Sequence, residues 1–161
     1  MSGFRVGTGF DAHRLVAGRR LMLGGVEVAH ARGLEGHSDG DCLVHALCDA
    51  LLGAAGEGDM GTHFPSADPQ WKDASGASFL ERTVRLVGAR GFTVENVDLT
   101  VIAQEPVLAP YIERMRFALA RALALDTERV SVKAKSTDEL GAVGRGEGIA
   151  AIATVLLSKR E

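Results

Sequence analysis

The segment GHSDGDCLVHALCDALLGAAGEGDMG, residues 36–61, begins as a polar loop and turns into an apolar helix. It holds two of the chain's five histidines, His37 and His45, among Asp39, Asp41, Asp49 and Asp59. Upstream, FDAH places Asp11 and His13 two residues apart, which on a strand sends both side chains to one face. On a helix, Asp41, His45 and Asp49 recur at one-turn intervals and line one stripe. If that helix packs against the end of the strand, Asp11, His13 and His45 make a three-ligand metal site. Zn²⁺ accepts such N and O donors and keeps a fourth position open in catalytic sites. Each piece has a plainer reading. Asp-x-His pairs are common, a helical histidine often only satisfies a hydrogen bond, and aspartates before a helix act as caps worth ~0.5–2 kcal/mol. The density of HSDGD exceeds what capping requires.

Three further stretches offer weaker signals. The loop GTHFPSADP is a proline turn with Asx capping at Asp68, or a source of backbone N–H groups for a phosphate. In VGRGEG the glycines permit a tight turn or let Arg145 and Glu147 approach a neighbour, with Arg145 an anion-binding candidate. KAKSTDELG presents Lys133, Lys135, Ser136, Thr137, Asp138 and Glu139 as a turn or helix start with phosphate contacts.

The elements that must position these residues follow from composition and periodicity. A length of 161 residues suits one domain, residues 1–161, with a real core. With 46% hydrophobic and 24% charged residues and net charge -3, the chain has no basic excess of the kind nucleic-acid surfaces carry. No stretch approaches the eighteen apolar residues of a membrane span, and the N-terminus has no signal-peptide core, so a cytoplasmic protein is expected. Cys42 and Cys48, six apart in one helix, fall on different faces and read as reduced core thiols. Strands are expected at 4–13, 93–104, 129–136 and 148–159, with a hairpin around Gly24-Gly25. Helices are expected from about Asp41 to Gly56 behind Ser38 or Asp39 as N-cap, over SFLERTVRLVGARG to a left-handed stop at Gly91, and over YIERMRFALARALAL behind Pro110. Such a mixture predicts an α/β sandwich with helices on one side of a sheet.

Taken together, GTGFDAHR, LGGV, GLEGHSDGDCLVHALCDALLGAAGEGDMGTHFP, NVDLTVIAQEP, VKAKSTDELG and GRGEGIA resemble the 2-C-methyl-D-erythritol 2,4-cyclodiphosphate synthases over nearly the whole chain. The resemblance implies a ferredoxin-like, four-stranded mixed sheet with helices on one face and a small hairpin, assembled as a homotrimer with active sites at subunit interfaces. It implies a phosphorus–oxygen lyase of the non-mevalonate isoprenoid pathway, which cyclises 4-diphosphocytidyl-2-C-methyl-D-erythritol 2-phosphate and releases CMP. No nucleic acid or membrane partner is implied.

Residue by residue, it makes Asp11, His13 and His45 the Zn²⁺ ligands, with Asp11 and His13 also near substrate. A second ion, Mg²⁺ or Mn²⁺, bridges the substrate diphosphate. His37, with Ser38, stabilises the reacting phosphates, and Lys135, Ser136, Thr137 and Asp138 face them from the opposite side. Asp59 binds ribose hydroxyls near the Gly61 backbone, and Phe64, Pro65, Ser66, Ala67 and Asp68 cover the erythritol–phosphate end. From a neighbouring subunit, Ala103, Gln104, Glu105, Pro106, Val107, Leu108 and Ala109 read cytosine through backbone groups. Ala142, Arg145 and Glu147 lie around the trimer axis. Two positions depart from the pattern: Asp138 replaces a glutamate that contacts the second metal, leaving Asp138 or Glu139 as its ligand, and Ala142 replaces an aromatic residue. Asp41 lines the erythritol pocket or orients a ligand. The alternatives are a trimeric metal- or nucleotide-binding scaffold without turnover, and a phosphohydrolase that releases CMP by water attack.

Overall fold

The computed structural model describes residues 3–160; Met1, Ser2 and Glu161, at the ends of the expected domain, lie outside the described residues. Strand β1 (Phe4–Ala17) runs past the expected residue 13 and leads into the hairpin β2 (Leu21–Leu23) and β3 (Val26–Val28). Gly24 and Gly25 turn that hairpin at φ +59° and +75°, a region glycine enters without a Cβ penalty. Then come β4 (Arg32–Leu34), α1 (Cys42–Ala55), the short α2 (Met60–His63) and α3 (Gly76–Ala89). The chain continues through β5 (Phe92–Ile102), α4 (Ile112–Leu123), β6 (Val130–Lys135), the single-turn α5 (Gly141–Gly144) and β7 (Gly148–Lys159).

The sheet has five strands rather than four, in the order β4-β1-β7-β5-β6, with only β5 and β6 parallel. The four long strands are those expected. The fifth, β4, is three residues paired with Leu15, Val16 and Ala17 at the far end of β1, too short to carry an alternation. A second correction concerns α1. Its N-cap is Asp41 rather than Ser38 or Asp39, with the carboxylate accepting from Val44 N at 3.1 Å. Asp39 is used otherwise, accepting from Asp41 N at 3.1 Å and from Gly76 N, at the start of α3, at 2.7 Å.

Residues in register across the sheet share a face, so Asp11, Ala151, Val101 and Ala134 form one row. The helices α1, α3 and α4 cover this side. Leu43, Leu47 and Leu51 of α1 are fully buried, each contributing ~1.5–3 kcal/mol of apolar burial. The helix lies directly on β1 because Gly7 and Gly9 have no side chains. A Cβ at Gly9 would stand 1.9 Å from the Ala46 carbonyl oxygen, and one at Gly7 would stand 2.0 Å from that of Ala50. This close approach sets His45 beside the end of β1. Among the described residues the opposite face of the sheet is not covered by α1, α3 or α4, and it exposes Phe4 (61%), Val6 (68%), Phe10 (60%) and Ile152 (39%). Cys42 and Cys48 are buried and free, as expected of core thiols. No helix among the described residues is long and apolar enough to cross a membrane.

Candidate active and metal site

Asp11 and His13 leave the helix-covered face of β1, and His45 comes down from the end of the first turn of α1 to meet them. Asp11 Oδ2 lies 2.7 Å from His13 Nε2 and 3.1 Å from His45 Nδ1, and the two ring nitrogens are 3.3 Å apart. The outer nitrogens are anchored: His13 Nδ1 donates to the Glu35 carbonyl at 2.6 Å, and His45 Nε2 is 3.1 Å from Ser38 Oγ. Such partners fix ring orientation and tautomer in metal-binding histidines. With His13 protonated on Nδ1 and His45 on Nε2, three lone pairs converge on one point. A proton relieves that repulsion partly; a divalent cation relieves it fully. Donors of a tetrahedral ion at ~2.0–2.1 Å stand roughly 3.3 Å apart, close to two of the three separations. Asp11, His13 and His45 are thus the one group of three or more such donors among the described residues, and they fit a divalent metal.

Electrostatics support the same reading. Burial alone would raise the Asp11 carboxyl, but hydrogen bonds from His13 and His45 and their charges outweigh it and hold its pKa at about 2. The Asp11 hydrogen bond raises His13 above its ordinary value against the opposing effect of burial. A carboxylate that stays ionised beside two imidazoles is ready to exchange their proton for a metal.

His37 and Ser38 join this group around a cavity of about 150 Å³, together with Met60, Phe64, Ser66, Trp71 and Phe79. His37 is exposed, and Ser38 is buried against His45. Phe64, Trp71 and Phe79 form an aromatic wall with ring centroids 5.0–5.6 Å apart. Pro65 and Ala67 are exposed on the loop that follows Phe64, while Asp68 caps the turn Pro69–Trp71. Asp59 caps α2, accepting from Thr62 N at 2.9 Å, with Gly61 inside that turn. The α2 segment is tied to α1 by Asp49, whose Oδ1 accepts from Met60 N at 2.8 Å. A larger cleft of about 530 Å³, beside α3, shares only Phe64 with the expected site residues.

The remaining expected residues form a separate wall. Ala103, Gln104, Pro106, Val107, Leu108 and Ala109 line a pocket of about 250 Å³ with Lys135 and Ser136. Glu105 lies in the same loop, its bond to Pro106 cis and its carboxylate paired with Arg32 at 2.9 Å. Ser136 Oγ is 3.3 Å from Asp138 Oδ1, and Thr137 Oγ1 donates to the Leu140 carbonyl at 2.7 Å. Asp138 and Glu139 both adopt positive φ (+50° and +65°), backbone that non-glycine residues hold only where the surroundings enforce it. Ala142 lies in a groove of about 240 Å³ that His13 also lines. Arg145 Nε donates to Glu147 Oε1 at 2.7 Å. Sequence reasoning passed over Trp71, Phe79 and Met60 as walls of the cavity; a lone Trp in a loop of turn formers was the available signal. Asp41 lies outside the lining of the cavity formed by His13, His37, Ser38 and His45. It is fully buried, caps α1 and accepts from Gly24 N at 2.9 Å and Gly25 N at 2.8 Å, fastening the hairpin to the helix that carries His45.

Fold and site define an α/β sandwich with a metal-binding Asp-His-His group between the central sheet and its first helix. Comparison with known proteins adds the family. Residues 4–158 match the family model described as the YgbB family. The chain is 51% identical to 2-C-methyl-D-erythritol 2,4-cyclodiphosphate synthase of Geotalea uraniireducens, over 97% of this chain and 99% of that one. It is 55% identical to the synthase of the same description from Syntrophomonas wolfei, over 96% and 99%. Among solved structures it resembles the CDP complex of IspF from Plasmodium falciparum (TM-score 0.87, 32% identity, 100% of this chain and 99% of that one). It also resembles the bifunctional IspDF of Campylobacter jejuni (TM-score 0.96, 40% identity), covering all of this chain and 44% of that one. The chain belongs to the YgbB family, that of the 2-C-methyl-D-erythritol 2,4-cyclodiphosphate synthases.

Proposed function

We propose that residues 1–161 form a single cyclodiphosphate synthase domain. It converts 4-diphosphocytidyl-2-C-methyl-D-erythritol 2-phosphate into 2-C-methyl-D-erythritol 2,4-cyclodiphosphate and CMP, in the non-mevalonate pathway and in the cytoplasm. The observation that carries the reading is the convergence of Asp11, His13 and His45 beside His37 and Ser38 in a chain of this family. The N,N,O donor set favours Zn²⁺. A second ion, Mg²⁺ or Mn²⁺, has no three-residue cage of its own among the described residues; one carboxylate, Asp138 or Glu139, would help hold it together with the substrate diphosphate, whose charge it would neutralise.

In the reaction a 2-phosphate oxygen forms a bond to the β-phosphorus as the bond to the bridging oxygen breaks, and that oxygen leaves on CMP with the electron pair. When bound, the metals neutralise phosphate charge and polarise a phosphoryl oxygen. Catalysis then consists of placement and charge stabilisation, with no side-chain nucleophile. His37 and Ser38 donate to non-bridging phosphate oxygens, Lys135 and Ser136 do so from the other wall, and Thr137, whose hydroxyl donates to the Leu140 carbonyl, lies beside them. The loop Phe64–Asp68 encloses the erythritol end, Asp59 and Gly61 take the ribose, and the backbone of Ala103–Ala109 reads cytosine.

A homotrimer accounts for the two walls. Lys135 pairs with Ile102, Ile102 with Ala150, and Ala150 with Ala12, so Lys135 projects from the face opposite Asp11 and His13. One chain separates the walls; a neighbour packed on the exposed face of Phe4, Val6, Phe10 and Ile152 reunites them. Ala142 and Arg145 then lie toward the shared axis. CMP release, followed by chromatography, tests the reading. Wild-type protein should release CMP only with divalent ions present, and His37→Ala should release it at a small fraction of that rate. Release that survives chelation would refute the metal-dependent reading.

A further inference from the structure

The loop 36–40 carries both His37 and Ser38, yet it lies in no helix or strand. Three consecutive carbonyls hold it in place. Gly36 O accepts from Arg19 Nη1 at 3.1 Å, His37 O from Asp73 N at 2.7 Å and Ser38 O from Arg19 Nη2 at 2.6 Å. One guanidinium therefore grips the backbone on both sides of His37. Its delivery is built into the fold. Gly18, at φ +80°, turns the chain out of β1, and Gly33 of β4 lets the next residues lie against it. A Cβ at Gly33 would stand 2.5 Å from the Arg19 carbonyl oxygen and 2.2 Å from that of Arg20.

We propose that Arg19 is a positioning residue for the reaction: its planar fork sets the direction in which His37 meets the reacting phosphates. A lysine ammonium at this position is a single point charge and does not reproduce the two-carbonyl bridge. The guanidinium borders a surface cleft of about 320 Å³ that includes Met22, Asp39 and Asp73, so a small cation can enter when the side chain is truncated.

The kinetic half of the test rests on the cyclase reading; the structural half does not. Arg19→Ala and Arg19→Lys are made in the full chain, the lysine variant retaining charge and stem where the alanine variant folds poorly. Hydrogen exchange by mass spectrometry should rise in the segments holding residues 36–40 and Asp73, with bound metal unchanged. Exchange equal to wild type overturns the clamp, whatever the activity. In kinetics, kcat should fall about 10–100-fold with KM little changed, the scale seen when the partners that orient a functional group are removed. Free guanidinium should restore part of the loss in Arg19→Ala. In a His37→Ala background, Arg19→Ala should add no further loss, because the two act as one unit. A full, multiplicative loss in that background overturns the proposal. Altered exchange in a protein whose wild type makes no cyclic product leaves the clamp standing and sinks the cyclase reading alone.

Discussion

His45 is the residue on which the metal reading turns. It is buried, its Nδ1 faces Asp11, and its Nε2 faces Ser38 Oγ. His45→Ala is expected to leave the fold intact and to abolish stoichiometric divalent-metal binding, measured by elemental analysis after dialysis. Metal content equal to wild type would contradict the assignment. The Asp11 carboxyl gives a pH prediction. Held at about 2 against an ordinary 3.8, it contributes stability that is present above pH ~4 and lost as pH falls toward 2. A shift of that size is worth ~2 kcal/mol. The metal-free protein should therefore lose stability over that interval in denaturant titrations, and Asp11→Asn should flatten the loss; parallel curves for the two proteins would contradict it. Asp11 and His13 were legible because a period of 2 puts them on one face of a strand; of the helical stripe Asp41, His45 and Asp49 only His45 reaches the group, the two aspartates accepting from backbone N–H groups of Val44 and Met60 instead. The groups that orient Asp11, His13 and His45 were not legible. A backbone carbonyl such as that of Glu35 leaves no mark in residue type, and Arg19 reads as one charged loop residue among others.

At the scale of elements, the site exists because α1 touches β1 without side chains between them. Gly9→Ala inserts a methyl within 1.9 Å of a backbone oxygen, so the helix must move away. Overpacking of this kind costs ~3 kcal/mol, and the displacement should also weaken metal binding, since His45 moves with its helix. Denaturant midpoints and metal titration check both; a variant that keeps wild-type stability and affinity would contradict the close-packing account. Strand β7 was readable end to end, because GIAAIATVLLSK is a long apolar run with a clear start. The helix start was placed correctly but its cap was not, because Ser38, Asp39 and Asp41 are all capping types, and only the hairpin turn at Gly24-Gly25, brought from elsewhere in the chain, selects Asp41. The β4 strand escaped because three residues on a sheet edge carry no period.

For the whole molecule, the exposed sheet face and the two walls of the site raise one question of assembly. Phe10→Asp combined with Ile152→Asp should yield a folded monomer that retains its metal but releases little CMP. Sedimentation and activity measured on one sample test this; a trimer with wild-type turnover would contradict the interface. A single chain's periodicity showed that one sheet face would be left uncovered by helices, and a copy of the same chain is invisible to any reading of spacing. Intramolecular cyclisation can be followed by phosphorus NMR of the purified protein with the cytidylyl substrate, Zn²⁺ and Mg²⁺. Cyclic diphosphate resonances should grow in step with CMP. Open-chain phosphates appearing with CMP, or substrate signals persisting while metal is demonstrably bound, would contradict it.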